Sequence, residues 1–134
     1  KGIAKAAAKL TYAFANATVP KVNVVVGKAL GTAAIAMNSK AIGADMTFAW
    51  PDAQIGTMEG KLAAKIMYDG QGADVINEKA AEYDALNCSA GSAARRGYVD
   101  SIVEPADTRK YVIGAFEMLF TKSEDRPAKK HGTV

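Results

Sequence analysis

The sequence predicts an α/β fold, in which short buried strands alternate with helices. Three observations carry this. Val22 to Val26 is β-branched apart from Asn23, the look of a strand inside a layered sheet. Apolar residues recur at helical spacing in Ile3-Ala7-Leu10-Phe14 and in Val112-Ala115-Phe116-Leu119. Glycine and proline fall between these segments, at Val19-Pro20, Gly70-Gln71-Gly72 and Glu104-Pro105.

Residues 1–18 form the first expected helix, with Lys1, Lys5 and Lys9 stacked on a second stripe. Its alanines favour helix, and Pro20 stops it. The strand Val22–Val26 is expected to be buried on both faces. Gly27 to Gly31 should turn the chain into a buried helix over Thr32–Ser39. Ile42 to Asp45 reads as another turn and Met46–Trp50 as a short strand ended by Pro51-Asp52. Ala53–Thr57 is a further extended piece, and Met58–Tyr68 a helix. Residues 73–87 suit a charged, exposed helix carrying Ile76, Ala80, Tyr83 and Leu86. A short helix over Ser89–Arg96 should end at Gly97, the residue that accepts left-handed backbone without penalty. Tyr98–Val103 is the fourth strand. Asp107 or Thr108 should cap a last helix reaching about Phe120. Four strands make a thin sheet, as expected of part of a larger fold or of a domain completed by another chain.

The chain has 134 residues, enough for one domain with a core, and an ordinary share of apolar and charged residues. A net charge of +3, with no interleaving of basic and aromatic residues, speaks against nucleic acid as a partner. No apolar run approaches the ~20 residues of a membrane span. No signal peptide is read at the start, which is Lys1 rather than Met, as in a fragment. The single cysteine, Cys88, rules out an internal disulfide and fits a cytoplasmic location. It reads as a small buried residue rather than a nucleophile. Asp45 and Asp52 read as turn or cap residues.

Side-chain chemistry is sparse. The only histidine, His131, lies near the end, so no Ser-His-Asp or Cys-His arrangement is expected, and no metal-ligand cluster is present. The run Gly27-Lys28-Ala29-Leu30-Gly31 lacks the spacing of a phosphate-binding loop. What remains is backbone. The amides opening a helix at Gly31, Thr32 and Ala33 have no intrahelical partner and favour negative charge. Aimed at a developing oxyanion, such donors stabilise a transition state. From spacing alone, a small-residue strand-to-helix turn is more often packing than an oxyanion hole.

Several longer stretches then resemble the biotin-dependent acyl-CoA carboxyltransferases. They are ATVPK at 17–21, the K-A-x-G-x-A turn at 28–33, MNSK at 37–40, GADMTFAWPDAQIG at 43–56, AARRGYVDSIVEPADTR at 93–109 and KKHG at 129–132. The family includes propionyl-CoA carboxylase β-type subunits and the carboxyltransferase subunits of methylmalonyl-CoA and glutaconyl-CoA decarboxylases. The resemblance implies a crotonase-like ββα superhelix. Residues 1–120 would be the C-terminal portion of the second carboxyltransferase domain and 121–134 a basic surface tail.

It also implies the chemistry. A carboxyl group would move between N1 of biotin and the α-carbon of an acyl-CoA, with backbone N–H groups holding the oxyanions. The biotin would ride on a separate carrier. One such oxyanion hole would fall on Thr32 and Ala33, with Gly31 before them. Thr32 stands where the family usually has glycine. Ala34, Ile35 and Lys28 are the candidate substrate contacts, with Ala34 and Ile35 suggesting an apolar acyl wall. Glu59 reads as a charge partner for a helix N-terminus. Expected partners are the rest of the subunit, further copies through the two-domain interface, and a biotin carrier protein. The alternative reading is a non-catalytic assembly module on the same scaffold.

Overall fold

The structure is a computed structural model and describes residues 2–129 and 132. Two small parallel sheets form the frame. In the first, β1 (Val22–Val25), β3 (Met46–Ala49) and β5 (Ser101–Ile102) lie side by side in that order. In the second, β2 (Lys28–Leu30) pairs with β4 (Gln54–Gly56). Each step of chain thus adds one strand to one sheet and one to the other. β2 corrects the expectation of a plain turn between Gly27 and Gly31: its middle residues take up ladder hydrogen bonds with β4.

Phe48 and Ala49 face opposite sides of β3, as the two-residue period requires, and each anchors its own core. Phe48 packs with Val103 and Ala115, with Val22, Val24, Trp50 and Val112 around them. Ala49 packs with Ala53, Ala90, Ala93 and Val99. The first core seats the last helix, α6 (Thr108–Met118), and the second seats α5 (Ala90–Arg95). The Trp50 indole N–H donates to Thr108 Oγ1 at 2.9 Å, tying β3 to the start of α6. Thr108 itself back-bonds to the Glu104 carbonyl, so neither Asp107 nor Thr108 caps this helix through its side chain.

Between the sheets' later strands, α3 (Gly60–Met67) and α4 (Ala73–Tyr83) make a hairpin. It closes on small residues: Ala63, Ala64 and Ala80 are buried. α4 runs on into a wider, π-type turn over Asp84–Cys88 and so fills the expected span to residue 87. α5 ends at Gly97, whose φ of 79° confirms the left-handed cap.

Two expectations of burial fail, and the apolar stripe of the first helix is open as well. α1 (Ile3–Asn16) forms as its pattern requires, yet buries no residue. β1 is half-buried along its length. α2 is only Gly31–Ala36, and none of it is buried. The physical reason is common to all three: composition reports which faces can be covered, not whether a covering element is present. The run from Thr121 is no free tail throughout. Lys122 is half-buried, and its ammonium contacts both Asp45 carboxylate oxygens at 2.9 Å. His131 lies outside the described residues.

Candidate functional site

β2 leads straight into α2, so the turn at Gly31 stands at the carboxyl end of a parallel strand pair. That is the usual side for ligands in such sheets. Leu30 is extended at φ −117°, ψ 142°, and the chain reverses at Gly31 with φ 72°. This positive φ is why the position is glycine: a side chain here would strain the backbone wherever space allowed it. The space is ordinary, since a Cβ would stand 3.6 Å from the Thr57 carbonyl oxygen.

The parallel register that pairs Leu30 with Gly56 directs the Gly31 N–H to the Gly56 carbonyl, while Thr32 and Ala33, in the first turn of α2, have no intrahelical acceptor four residues back, and no loop carbonyl or side chain among the described residues accepts from them. No acidic residue sits in the first turn of α2. Thr32 and Ala33 are exposed, Gly31 and Ala34 half-buried, and Ile35 is 45% exposed. The expected site residues Gly31 to Ile35 therefore form one open ledge, with the Thr32 and Ala33 N–H groups bare beside small and apolar side chains. Lys28 lies at the start of β2, with its ammonium 3.7 Å from Glu59 Oε1; both side chains are well exposed. Such a pair is screened by water and leaves Lys28 free to turn elsewhere.

After α2 the chain passes through Asn38 at φ 57°, a left-handed conformation that asparagine tolerates better than most residues. Its Oδ1 is sealed from solvent with no donor among the described residues. Nothing in the local pattern announces this residue. An open groove between β3, β5 and α6, about 880 Å³ and lined by Met46, Phe48, Tyr111, Ala115 and Met118 among others, includes none of the ledge residues.

The titratable groups belong to the scaffold. Burial pushes the Cys88 thiol up to about 11, helped by the Asp84 carboxylate beside it. The thiol is therefore neutral at physiological pH and donates to the Met58 carbonyl at 3.5 Å. For Asp45, burial alone would raise the carboxyl. The Lys122 ammonium and the Lys21 backbone N–H, which donates at 2.7 Å, outweigh it and hold the group below its ordinary value. Asp84 accepts the Gly60 N–H at 2.8 Å. Asp100 accepts both the Thr47 N–H at 2.8 Å and the Lys40 ammonium.

Two parallel sheets fed alternately by one chain, with helices on their outer faces, define a crotonase-like α/β scaffold. The chain belongs to the carboxyl transferase domain family, whose pattern matches residues 1–134. It is 46% identical to the propionyl-CoA carboxylase beta chain of Saccharopolyspora erythraea, with 99% of this chain and 26% of that protein covered. It is 41% identical to the methylmalonyl-CoA decarboxylase subunit alpha of Propionigenium modestum, covering 99% of this chain and 27% of that protein. Among solved structures it superposes on transcarboxylase 12S, crystallised with methylmalonyl-CoA and methylmalonic acid bound. The TM-score is 0.93 at 43% identity, over 98% of this chain and 26% of that one. The chain thus spans about a quarter of the length of these relatives. No described helix is long and apolar enough to cross a membrane.

Proposed function

We propose that this chain is the part of a carboxyltransferase subunit that supplies one backbone oxyanion hole. The subunit would move a carboxyl group between biotin and the α-carbon of an acyl-CoA. The observation that carries the reading is the ledge at Gly31–Ala33, where the Thr32 and Ala33 amides find no acceptor, on a chain of this family. Thr32 and Ala33 N–H would hold the negative oxygen. Gly31 sets their direction, and Ala34 and Ile35 would line the acyl group. Lys28 would meet a carboxylate or phosphate once released from Glu59.

The ledge suits such a ligand, because an anionic oxygen completes orphan donors that no protein group takes. Biotin, delivered on a carrier protein, would supply the nitrogen that carries the carboxyl group. Further copies of the subunit would enclose the ledge, which stands open here. Residues 1–120 would be the C-terminal portion of the second carboxyltransferase domain and 121–134 its basic tail, and a cytoplasmic location follows from such a role.

The test is carboxyl exchange between carboxybiotin and small acyl-CoAs by the full-length protein containing these residues. Transfer to or from at least one of them is expected. No transfer with any acyl group from acetyl to glutaryl size would instead favour the non-catalytic module.

A further inference from the structure

α1 meets the rest of the chain at one end. Residues 2–10 are exposed, whereas Thr11, Tyr12 and residues 14–16 are half-buried. A helix leaves its last carbonyls without intrahelical partners and its carboxyl end partly negative. α1 has no basic residue in its last turn to answer this. Cations from elsewhere do so. The ammonium of Lys21, a residue only 6% exposed, donates to the Phe14 carbonyl at 2.8 Å. The Arg126 guanidinium donates to the Ala15 carbonyl, 111 positions back. Just past the helix, the Lys122 ammonium donates to the Val19 carbonyl at 3.3 Å.

Two carboxylates tie these cations together. Asp45 takes the Lys122 ammonium and the Lys21 backbone N–H, and Glu124 takes the Arg126 guanidinium. The Lys122–Asp45 pair is the least exposed ion pair among the described residues, so water and salt screen it least. Lys129 extends the run, its ammonium 4.9 Å from the centre of the Tyr12 ring. Residues 122–129 thus strap the end of α1 to the turn that opens β3.

α2, which carries the ledge, lies against β2, the 3-10 turn Lys40–Ile42 and α1. The first two are its neighbours in the chain; α1 is not. No residue of α2 is buried, so no core fixes its direction, and α1 supplies a packed surface from outside its own segment. We infer that Lys21, Lys122 and Arg126 are positioning residues for the ledge. They hold the end of α1, and through α1 they set where the Thr32 and Ala33 amides point. The effect on rate rests on the carboxyl-transfer reading; the effect on α1 and α2 does not.

Amide hydrogen exchange of the full-length protein reads the structural half. Lys122→Met combined with Arg126→Gln should quicken exchange roughly fivefold in residues 10–16 and 35–37, through loss of charge-assisted bonds. Exchange in the α3–α4 hairpin should change by less than about twofold, since it shares no partner with the strap. Lys122→Arg combined with Arg126→Lys keeps the charges and should restore both segments to within about twofold. Carboxyl exchange reads the other half. With the first pair of changes kcat should fall roughly tenfold at unchanged KM, since the ledge acts on the transition state. In a Thr32→Pro background the same pair should cost less than about threefold, because a donor that it aims is already gone. General damage would cost the same in both backgrounds. Should the pair fail to fold, Arg126→Gln alone, at an exposed residue, should give about threefold in each readout. Residues 35–37 exchanging at the native rate would overturn the inference, as would an equal rate loss in the two backgrounds. A protein that transfers no carboxyl group would sink the functional reading, and amide exchange would still decide whether α1 holds α2.

Discussion

Three helices in this chain begin beside a sheet, and they end up with opposite uses for their first amides. At α5 the Ser89 hydroxyl accepts from the Ser92 N–H at 3.2 Å. At α3 the Asp84 carboxylate accepts from Gly60 at 2.8 Å. At α2 no loop carbonyl or side chain among the described residues accepts from Thr32 or Ala33. A helix N-terminus is thus no site in itself. It becomes a candidate only where the protein has withheld its own acceptor, and the first two helices show how readily one is supplied.

The largest stability effect should come from the closed end at Gly60. A Cβ there would stand 2.4 Å from the Ala80 carbonyl oxygen and 2.6 Å from the Asp84 carboxyl. Gly60→Ala should lower stability by about 3 kcal/mol, the upper range for overpacking, read as a fall in the chemical-denaturation midpoint. Any loss of activity should follow the loss of fold. Asp84→Ala should cost about 1–2 kcal/mol by leaving a buried N–H without its acceptor. It should also let the Cys88 thiol titrate at lower pH, since one of the causes that raises it is gone. Thiol alkylation followed against pH would show both the native protection and its loss. If Asp84→Ala left stability unchanged, the contrast between closed and open helix ends would lose its energetic meaning.

The frame was legible where a signal is local. Gly97 marks the end of α5, Pro20 closes the region after α1, and β-branched residues mark β1. What was not legible depends on distant partners. β2 is three residues between two glycines, and only its pairing with Gln54–Gly56 makes it a strand. Asp84 and Gly60 are 24 positions apart, and Asp45 and Lys122 are 77 apart. No periodicity announces such contacts. At the site, the need for glycine at position 31 could be read. That the next amides stay unpartnered could not, because it depends on what every other group does.

A smaller effect distinguishes the ledge residues themselves. Thr32→Gly should change carboxyl exchange by less than about tenfold, since the side chain is exposed and the donor is the backbone. A complete loss on this change would move the role from the amide to the hydroxyl. The smallest effect belongs to Asp45. Its folded pKa lies below 3.8, so its contribution is full above the unfolded value and fades as pH falls through the folded one. Acid denaturation should therefore begin at higher pH in Lys122→Met than in the native chain, with no difference near neutrality beyond a constant offset.

The most direct measurement concerns one N–H. Thr32→Pro removes the donor at a first-turn position where proline is tolerated, and the preceding Gly31 is not in the helical conformation that proline disfavours. In the full-length protein this change should lower the rate of carboxyl exchange on the order of 10²–10³-fold while the denaturation midpoint stays within the range of other surface changes. Exchange at the native rate, with the variant folded, would contradict the assignment of the Gly31–Ala33 ledge as an oxyanion hole.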